Sequence, residues 1–267
     1  MGSPTYGGHV RYAIFTPNFG TLSDPALLAE LASAAEEAGW DGWFLWDHVV
    51  YRMGDEPVVD PWIALAVMAR VTGRLQLGPM VTPLPRRRPW NLARQATTLD
   101  HLSEGRVILG VGLGSLNTPE FAGFGEEQDL RRRGAMLDEG LELMADLWSG
   151  QLVNHHGPHY QVEGVRFLPR PIQRPLPVWL AATWPHRRPL QRAAHWQGVF
   201  PLGLPGPAAL AEVADIVGPG KDIAVDDGRF SPDEWQRAGA TWWLERLPAD
   251  IATRDLEARI QAGPPRD

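Results

Sequence analysis

From residue 10 onward, strand-like and helix-like hydrophobic periodicities alternate eight times along the chain, and few architectures accept that order. Such alternation is expected where each strand is covered by the helix that follows it. "VRYAIFTP" reads as a strand, and Asp24-Pro25 then opens the amphipathic stretch "ALLAELASAAEEAGW". An aspartate ahead of a helix accepts one of its free N–H groups, and a proline at the first helical position has no N–H to lose. "DGWFLWDHV" is the second strand, with Asp60-Pro61 opening "WIALAVMARVTG"; "RLQLGPMVTPLP" is the third, before a helix through "PWNLARQATTLDHLSEGR". "VILGVGLGS" is the fourth, followed after a loop by "RRRGAMLDEGLELMADLWSG". In the second half "PVWLAAT", "GVFPLG", "DIAVDD" and "TWWLERL" alternate with helical "HRRPLQRAAHW", "PAALAEVADIVG", "SPDEWQRAGA" and "RDLEARIQAG".

Eight units in 267 residues fit one closed (β/α)8 barrel of the TIM type, for which roughly 250 residues is typical. An open doubly wound sheet uses the same units but divides into halves, and no such break is visible. The expected architecture is therefore α/β, a single barrel domain over residues 1–267. "QLVNHHGPHYQVEGVRFLPRPIQRP", between the fourth helix and the fifth strand, falls outside the pattern and reads as a polar hairpin with a proline-rich connector.

Charge and composition narrow the function. A formal net charge of -7 offers no attraction to phosphate backbones or anionic lipid, so neither nucleic acid nor membrane is an expected partner. The N-terminal "MGSPTYGGHVRY" lacks the segments of a signal peptide and no apolar run is long enough to span a bilayer, so a soluble, unexported protein is expected, with the cytoplasm as the default compartment. Without cysteine there is no disulfide, thiolate nucleophile or cysteine-held metal. Arg86-Arg87-Arg88 and Arg131-Arg132-Arg133 read as solvated helix starts or ion pairs.

In a barrel of this kind the working face lies at the carboxyl ends of the strands. Asp47 and His48 close the second strand and should project onto that mouth. One reading is a loop cap that satisfies buried backbone. The other is catalytic, with His48 moving a proton near neutral pH and Asp47 fixing its orientation and tautomer. Prolines 79, 83 and 85 interrupt the third strand and suggest a bulge at which Met80 and Val81 press on a flat ligand. Gly110, Gly112 and Gly114 in the fourth strand serve either barrel packing or ligand clearance; with Ser115 at the place of the third glycine they are no dinucleotide fingerprint. The cluster "NHHGPHY" puts histidines at 155 and 159, but Gly157-Pro158 argues against one helical face and for a surface hairpin, so no metal site is expected.

The ordered set "GWDGWFLWDHV", "DPWIALAVMARVTGRLQLGPMVTPLPRRRPWNLARQATTLDHLSEGRVILGVGLG", "GATWWLERL" and "LEARIQAGPP" resembles the luciferase-like monooxygenase superfamily of flavin- and coenzyme F420-dependent oxidoreductases. The resemblance implies a tricyclic cofactor resting on a shelf in the third strand, at Pro79, Met80 and Val81, with a non-proline cis peptide at Met80–Val81. It also implies cofactor contacts from Gly112, Ser115 and Ala182 and substrate walls from Phe15 and Trp46; because Ala181-Ala182-Thr183 replaces the family's glycine pair, the phosphate site is expected instead at Thr183, Arg187 and Arg188, where backbone donors and guanidinium groups could meet an anion. His48 is similar to the general base of the F420-dependent dehydrogenases, with Asp47 beside it. Leu113 stands where luciferase holds an arginine for the FMN phosphate, and Ser115 where the sugar-phosphate dehydrogenases place a glutamate.

The expectation is thus an F420-dependent oxidoreductase that passes a hydride between the deazaflavin and a small organic substrate. The alternatives are an FMN-dependent monooxygenase supplied by a separate flavin reductase, and a non-catalytic flavin-binding protein. Oligomeric state stays open, with a homodimer through the apolar faces of the early helices as the candidate.

Overall fold

The computed structural model describes residues 9–51, 55–115 and 119–266. Eleven strands run in chain order: β1 Arg11–Thr16, β2 Gly42–Leu45, β3 Gln76–Pro79, β4 Thr82–Pro83, β5 Leu109–Gly112, β6 Leu152–His156, β7 Gln161–Arg166, β8 Val178–Thr183, β9 Gly198–Leu202, β10 Asp222–Val225 and β11 Trp242–Arg246. The helices are α1 Pro25–Glu37, α2 Pro61–Val71, α3 Pro89–Leu102, α4 Leu130–Trp148, α5 Arg187–Ala193, α6 Pro207–Val217, α7 Pro232–Arg237 and α8 Thr253–Gln261.

Nine strands form one parallel sheet in the order β3-β2-β1-β11-β10-β9-β8-β5-β4. β3 and β4 are two pieces of the third barrel strand, separated at Met80–Val81, and β4 pairs with β5. The ring closes where Leu77 bridges Val107 and the Ile108 N–H donates to the Leu77 carbonyl at 3.0 Å. The expected eightfold barrel is therefore the observed fold, and β6–β7 is the expected antiparallel hairpin between α4 and the fifth barrel strand, β8.

Local chemistry explains the element starts. The Asp24 side chain accepts from Ala26 N–H at 2.8 Å, and that of Asp60 from Trp62 and Ile63 at 2.9 and 3.0 Å, each with proline at the next position. Strand alternation then divides the apolar residues between two compartments. Phe15, Phe44, Ile108, Trp179, Trp242 and Leu244 fill the inside of the barrel, while Ile14, Leu45, Trp43, Leu109, Leu180 and Val199 face the helices.

The amino-terminal pole of the barrel carries a buried cation. Arg106, 8% exposed, donates from Nε to Ser103 O, from Nη1 to Leu75 O and Thr72 Oγ1, and from Nη2 to Ala69 O and Thr72 O. A guanidinium taken from water needs its donors met. Here they meet the Ala69 and Thr72 carbonyls at the end of α2, which has no further turn to use them, together with those of Leu75 before β3 and Ser103 at the end of α3. Among the described residues, no helix is long and apolar enough to cross a membrane.

Candidate active site

At the carboxyl ends of the strands lies a cavity of about 720 Å³. Phe15 and Phe200 meet edge to face at 5.5 Å between ring centres and Trp46 tilts against Phe15 at 5.8 Å, so aromatic rings form much of its wall. Met80, Val81 and Gly112 form the adjoining wall, and the Met80–Val81 peptide is cis, as the resemblance implied. A Cβ on Gly112 would stand 3.0 Å from Val81 Cγ2 and 3.3 Å from Ala181 Cβ, so this glycine keeps open a slot that any side chain would fill. Both sequence readings of the glycines apply, since Gly110 packs against Pro79 and Met80 while Gly112 and Gly114 line the cavity.

His48 stands on the cavity wall with its backbone clamped by Asn18, whose amide oxygen accepts from His48 N at 3.2 Å and whose Nδ2 donates to His48 O at 2.8 Å. Its Nδ1 lies 2.9 Å from Glu120 Oε2. Glu120, 1% exposed, also accepts from Val49 N–H at 2.6 Å through Oε1, and Arg86 Nη1 pairs with that oxygen at 2.6 Å. Burial alone would raise the Glu120 pKa, yet the His48 hydrogen bond, the Arg86 charge and the Val49 N–H hold it down at about 2. An ionised carboxylate can only accept, so the imidazole proton sits on Nδ1 and the Nε2 lone pair is left available. Nε2 has no hydrogen bond among the described residues.

Asp47 does not orient this ring, contrary to expectation. Buried to 3% exposure, it binds Thr82 Oγ1 and Arg87 Nη2, the latter at 2.7 and 2.6 Å from its two oxygens, and Arg86 Nη2 at 3.2 Å. The alternation past β2 is the cause: all three of Trp46, Asp47 and His48 border the cavity, but the Asp47 carboxylate turns toward the arginines ahead of α3. Asp47, Glu120, Arg86 and Arg87 balance in formal charge, the arrangement that makes burial of four ions tolerable. The ion-pair reading of Arg86 and Arg87 thus holds, and Glu120 is the residue that sequence reasoning missed. It lies 72 positions from His48, in a loop with no pattern to mark it.

The remaining expected positions divide by phase. Ser115 and Thr183 line the cavity, but Ala182 is buried toward the helices and its neighbour Ala181 takes the cavity side, one residue along the same strand. Pro79 does not line the cavity and lies behind Met80. Arg187 and Arg188 are exposed and do not line it either; His186, Pro189 and Arg192 do, at the three-residue spacing of one helix face. Arg192 is held by Asp138, with its Nη2 2.9 Å from Oδ2, and Arg246 at the opposite rim is paired with Asp226. Among the described residues, no group of three or more His, Asp or Glu side chains could hold a metal ion, and His155 is bonded instead to Glu139 at 3.1 Å.

The low pKa of Glu120 ties stability to pH. Its folded value of about 2 lies below an ordinary value of 4.5, so its contribution is complete above the ordinary value and is lost as pH falls through the folded one. Denaturant unfolding should show wild type losing more stability than Glu120→Gln between pH 6 and pH 2.5, by roughly 2–3 kcal/mol. Equal losses in the two proteins would refute the assignment.

A family model described as luciferase-like monooxygenase matches residues 10–220. The F420-dependent glucose-6-phosphate dehydrogenase of Gordonia bronchialis is 36% identical over 167 residues, 61% of this chain and 48% of that protein. That of Amycolatopsis mediterranei is 37% identical over 182 residues, 66% of this chain and 52% of its own length. The chain spans about half the length of these curated relatives. Among solved structures, an F420-dependent secondary alcohol dehydrogenase in complex with an F420-acetone adduct superposes with a TM-score of 0.80 at 16% identity, covering 97% of this chain and 100% of the other. The monooxygenase RslO1 from Streptomyces bottropensis superposes at 0.76 with 20% identity, covering 95% and 97%. At such identities the likeness carries the fold.

Proposed function

The chain belongs to the luciferase-like monooxygenase family, and on that premise we propose that it is a coenzyme F420-dependent oxidoreductase acting on a small organic alcohol or the corresponding carbonyl compound. The observation that carries this reading is the pair His48–Glu120 on the wall of a cavity beside the Met80–Val81 shelf, where His48 Nε2 has no hydrogen bond among the described residues. The names of the relatives, F420-dependent dehydrogenases at 36% and 37% identity, support the choice of cofactor.

The cavity suits a planar ring. Met80 and Val81 give it an apolar bed and Gly112 gives it clearance. Trp46 carries an indole N–H that is buried without a hydrogen-bond partner, and a ligand oxygen would satisfy it. Bound there, F420 supplies hydride acceptance and donation. His48 takes the proton of the substrate hydroxyl at Nε2 and returns it in the reverse direction. Glu120 fixes the tautomer that makes Nε2 the acceptor and stabilises the imidazolium that results. Thr82, Arg86 and Arg87 hold Asp47 under the same loop, which keeps the His48 backbone in place.

The test uses the purified chain titrated separately with F420 and FMN, followed by turnover of secondary alcohols and of glucose 6-phosphate with oxygen monitored. F420 should bind at least about tenfold more tightly, a difference of roughly 1.4 kcal/mol. Turnover should need no oxygen. Preferential FMN binding with an oxygen-consuming reaction would overturn the proposal.

A further inference from the structure

A second cleft, of about 480 Å³, opens outside the barrel between the start of α3, α4 and the hairpin. Its walls include Arg87, Arg88, Asn91, Gln95, Glu126 and Tyr160. Among the described residues, two buried polar atoms on these walls hold neither a hydrogen bond nor an ion pair. One is the hydroxyl of Tyr160, a residue only 3% exposed; the other is Nε of Arg87, whose Nη2 is already committed to Asp47. Unmet buried donors destabilise a fold, and native proteins rarely leave two on one cleft without a use.

Two further features favour an acceptor-rich occupant. α3 is a 14-residue helix whose N-cap, Arg88, makes no side-chain capping hydrogen bond; its first residue is Pro89 and the Asn91 and Leu92 N–H groups turn back to the Arg88 carbonyl, so the end contributes the positive pole of the helix dipole rather than a row of free donors. Arg88 itself is exposed and has no ion-pair partner among the described residues. Arg86 and Arg87 are balanced by Asp47 and Glu120, so of the remaining wall residues Arg88 carries a positive and Glu126 a negative charge.

We propose that this cleft is a binding site for a small oxyanion, a carboxylate or phosphate, held by Arg87 Nε, the Arg88 guanidinium and the Tyr160 hydroxyl. The ligand would lie on the far side of Arg87 from Asp47, outside the barrel-mouth cavity, and its binding does not depend on which cofactor that cavity takes. A guanidinium N–H gives an oxyanion a charge-assisted hydrogen bond, and a phenol O–H adds a neutral one.

Calorimetric titration of the full chain with acetate, glycine and inorganic phosphate, against chloride at equal ionic strength, tests the proposal and separates carboxylate from phosphate. At least one of the three oxyanions should bind saturably below about 10 mM, corresponding to a weak few-contact site. Arg88→Gln should weaken that binding about tenfold or more and Tyr160→Phe about fivefold, as loss of charged and neutral hydrogen bonds predicts. Circular dichroism melts should show both variants folded, since neither side chain's polar atoms hold a protein partner. No saturable binding, or binding equal in wild type and both variants, would show the cleft to hold only water.

Discussion

Replacing His48 with alanine should lower turnover by about 10²–10⁴-fold while cofactor affinity changes less than about threefold. The asymmetry follows from position. Nδ1 is spent on Glu120 and the free nitrogen stands on the cavity wall, whereas the bed offered to a planar cofactor comes from Met80, Val81 and Gly112 on other strands. Stopped-flow hydride transfer and a fluorescence titration on the same preparations measure both quantities. Parallel loss of affinity and rate would make His48 a structural part of the pocket and remove it from the chemistry. Glu120, which acts through His48, is a positioning residue. Its replacement by glutamine should therefore also shift the pH profile of kcat/KM, because an amide can donate as well as accept and no longer enforces one tautomer.

The largest effect on stability should come from Gly78→Ala, which adds one methyl group to the seam where the barrel closes. A Cβ there would stand 1.8 Å from the Ile108 carbonyl oxygen and 2.9 Å from its carbon, both main-chain atoms of the neighbouring strand. A flexible side chain could turn aside, but main chain in a closed ring cannot move without breaking the contacts of Leu77 with Val107 and Ile108. The expected loss is about 4 kcal/mol or more, at the extreme of single substitutions. Gly228→Ala is the matched control, since nothing lies within 4 Å of its added carbon, and it should stay within about 0.5 kcal/mol of wild type. Similar denaturation midpoints for the two variants would contradict the closed seam.

Most of the fold was legible because barrel units announce themselves locally. Asp24-Pro25 and Asp60-Pro61 mark helix starts by chemistry that acts over two or three residues, and strand patterns need only their own span. His48, Met80 and Val81 were legible for the same reason, each following from its place at a strand end. What stayed hidden depended on phase or on distance. Ala181 and Ala182 are equally plausible in sequence, and only strand twist and register decide which one meets the cavity. Arg187, Arg188 and Arg192 differ by helix phase, which shifts with the turn that precedes α5. Glu120 reaches His48 across 72 residues, a proximity that exists only once the ring is closed.

Arg106 gives the molecule a division of labour. Five donor contacts from one side chain, four of them to main-chain carbonyls, bolt the pole remote from the cavity together at the end of α2, the loop after it and the end of α3. Rigidity held there is independent of what lines the other pole, so evolution can exchange residues around a substrate without renegotiating the scaffold. A scaffold built this way leaves the mouth free to change its chemistry while the opposite pole keeps the architecture.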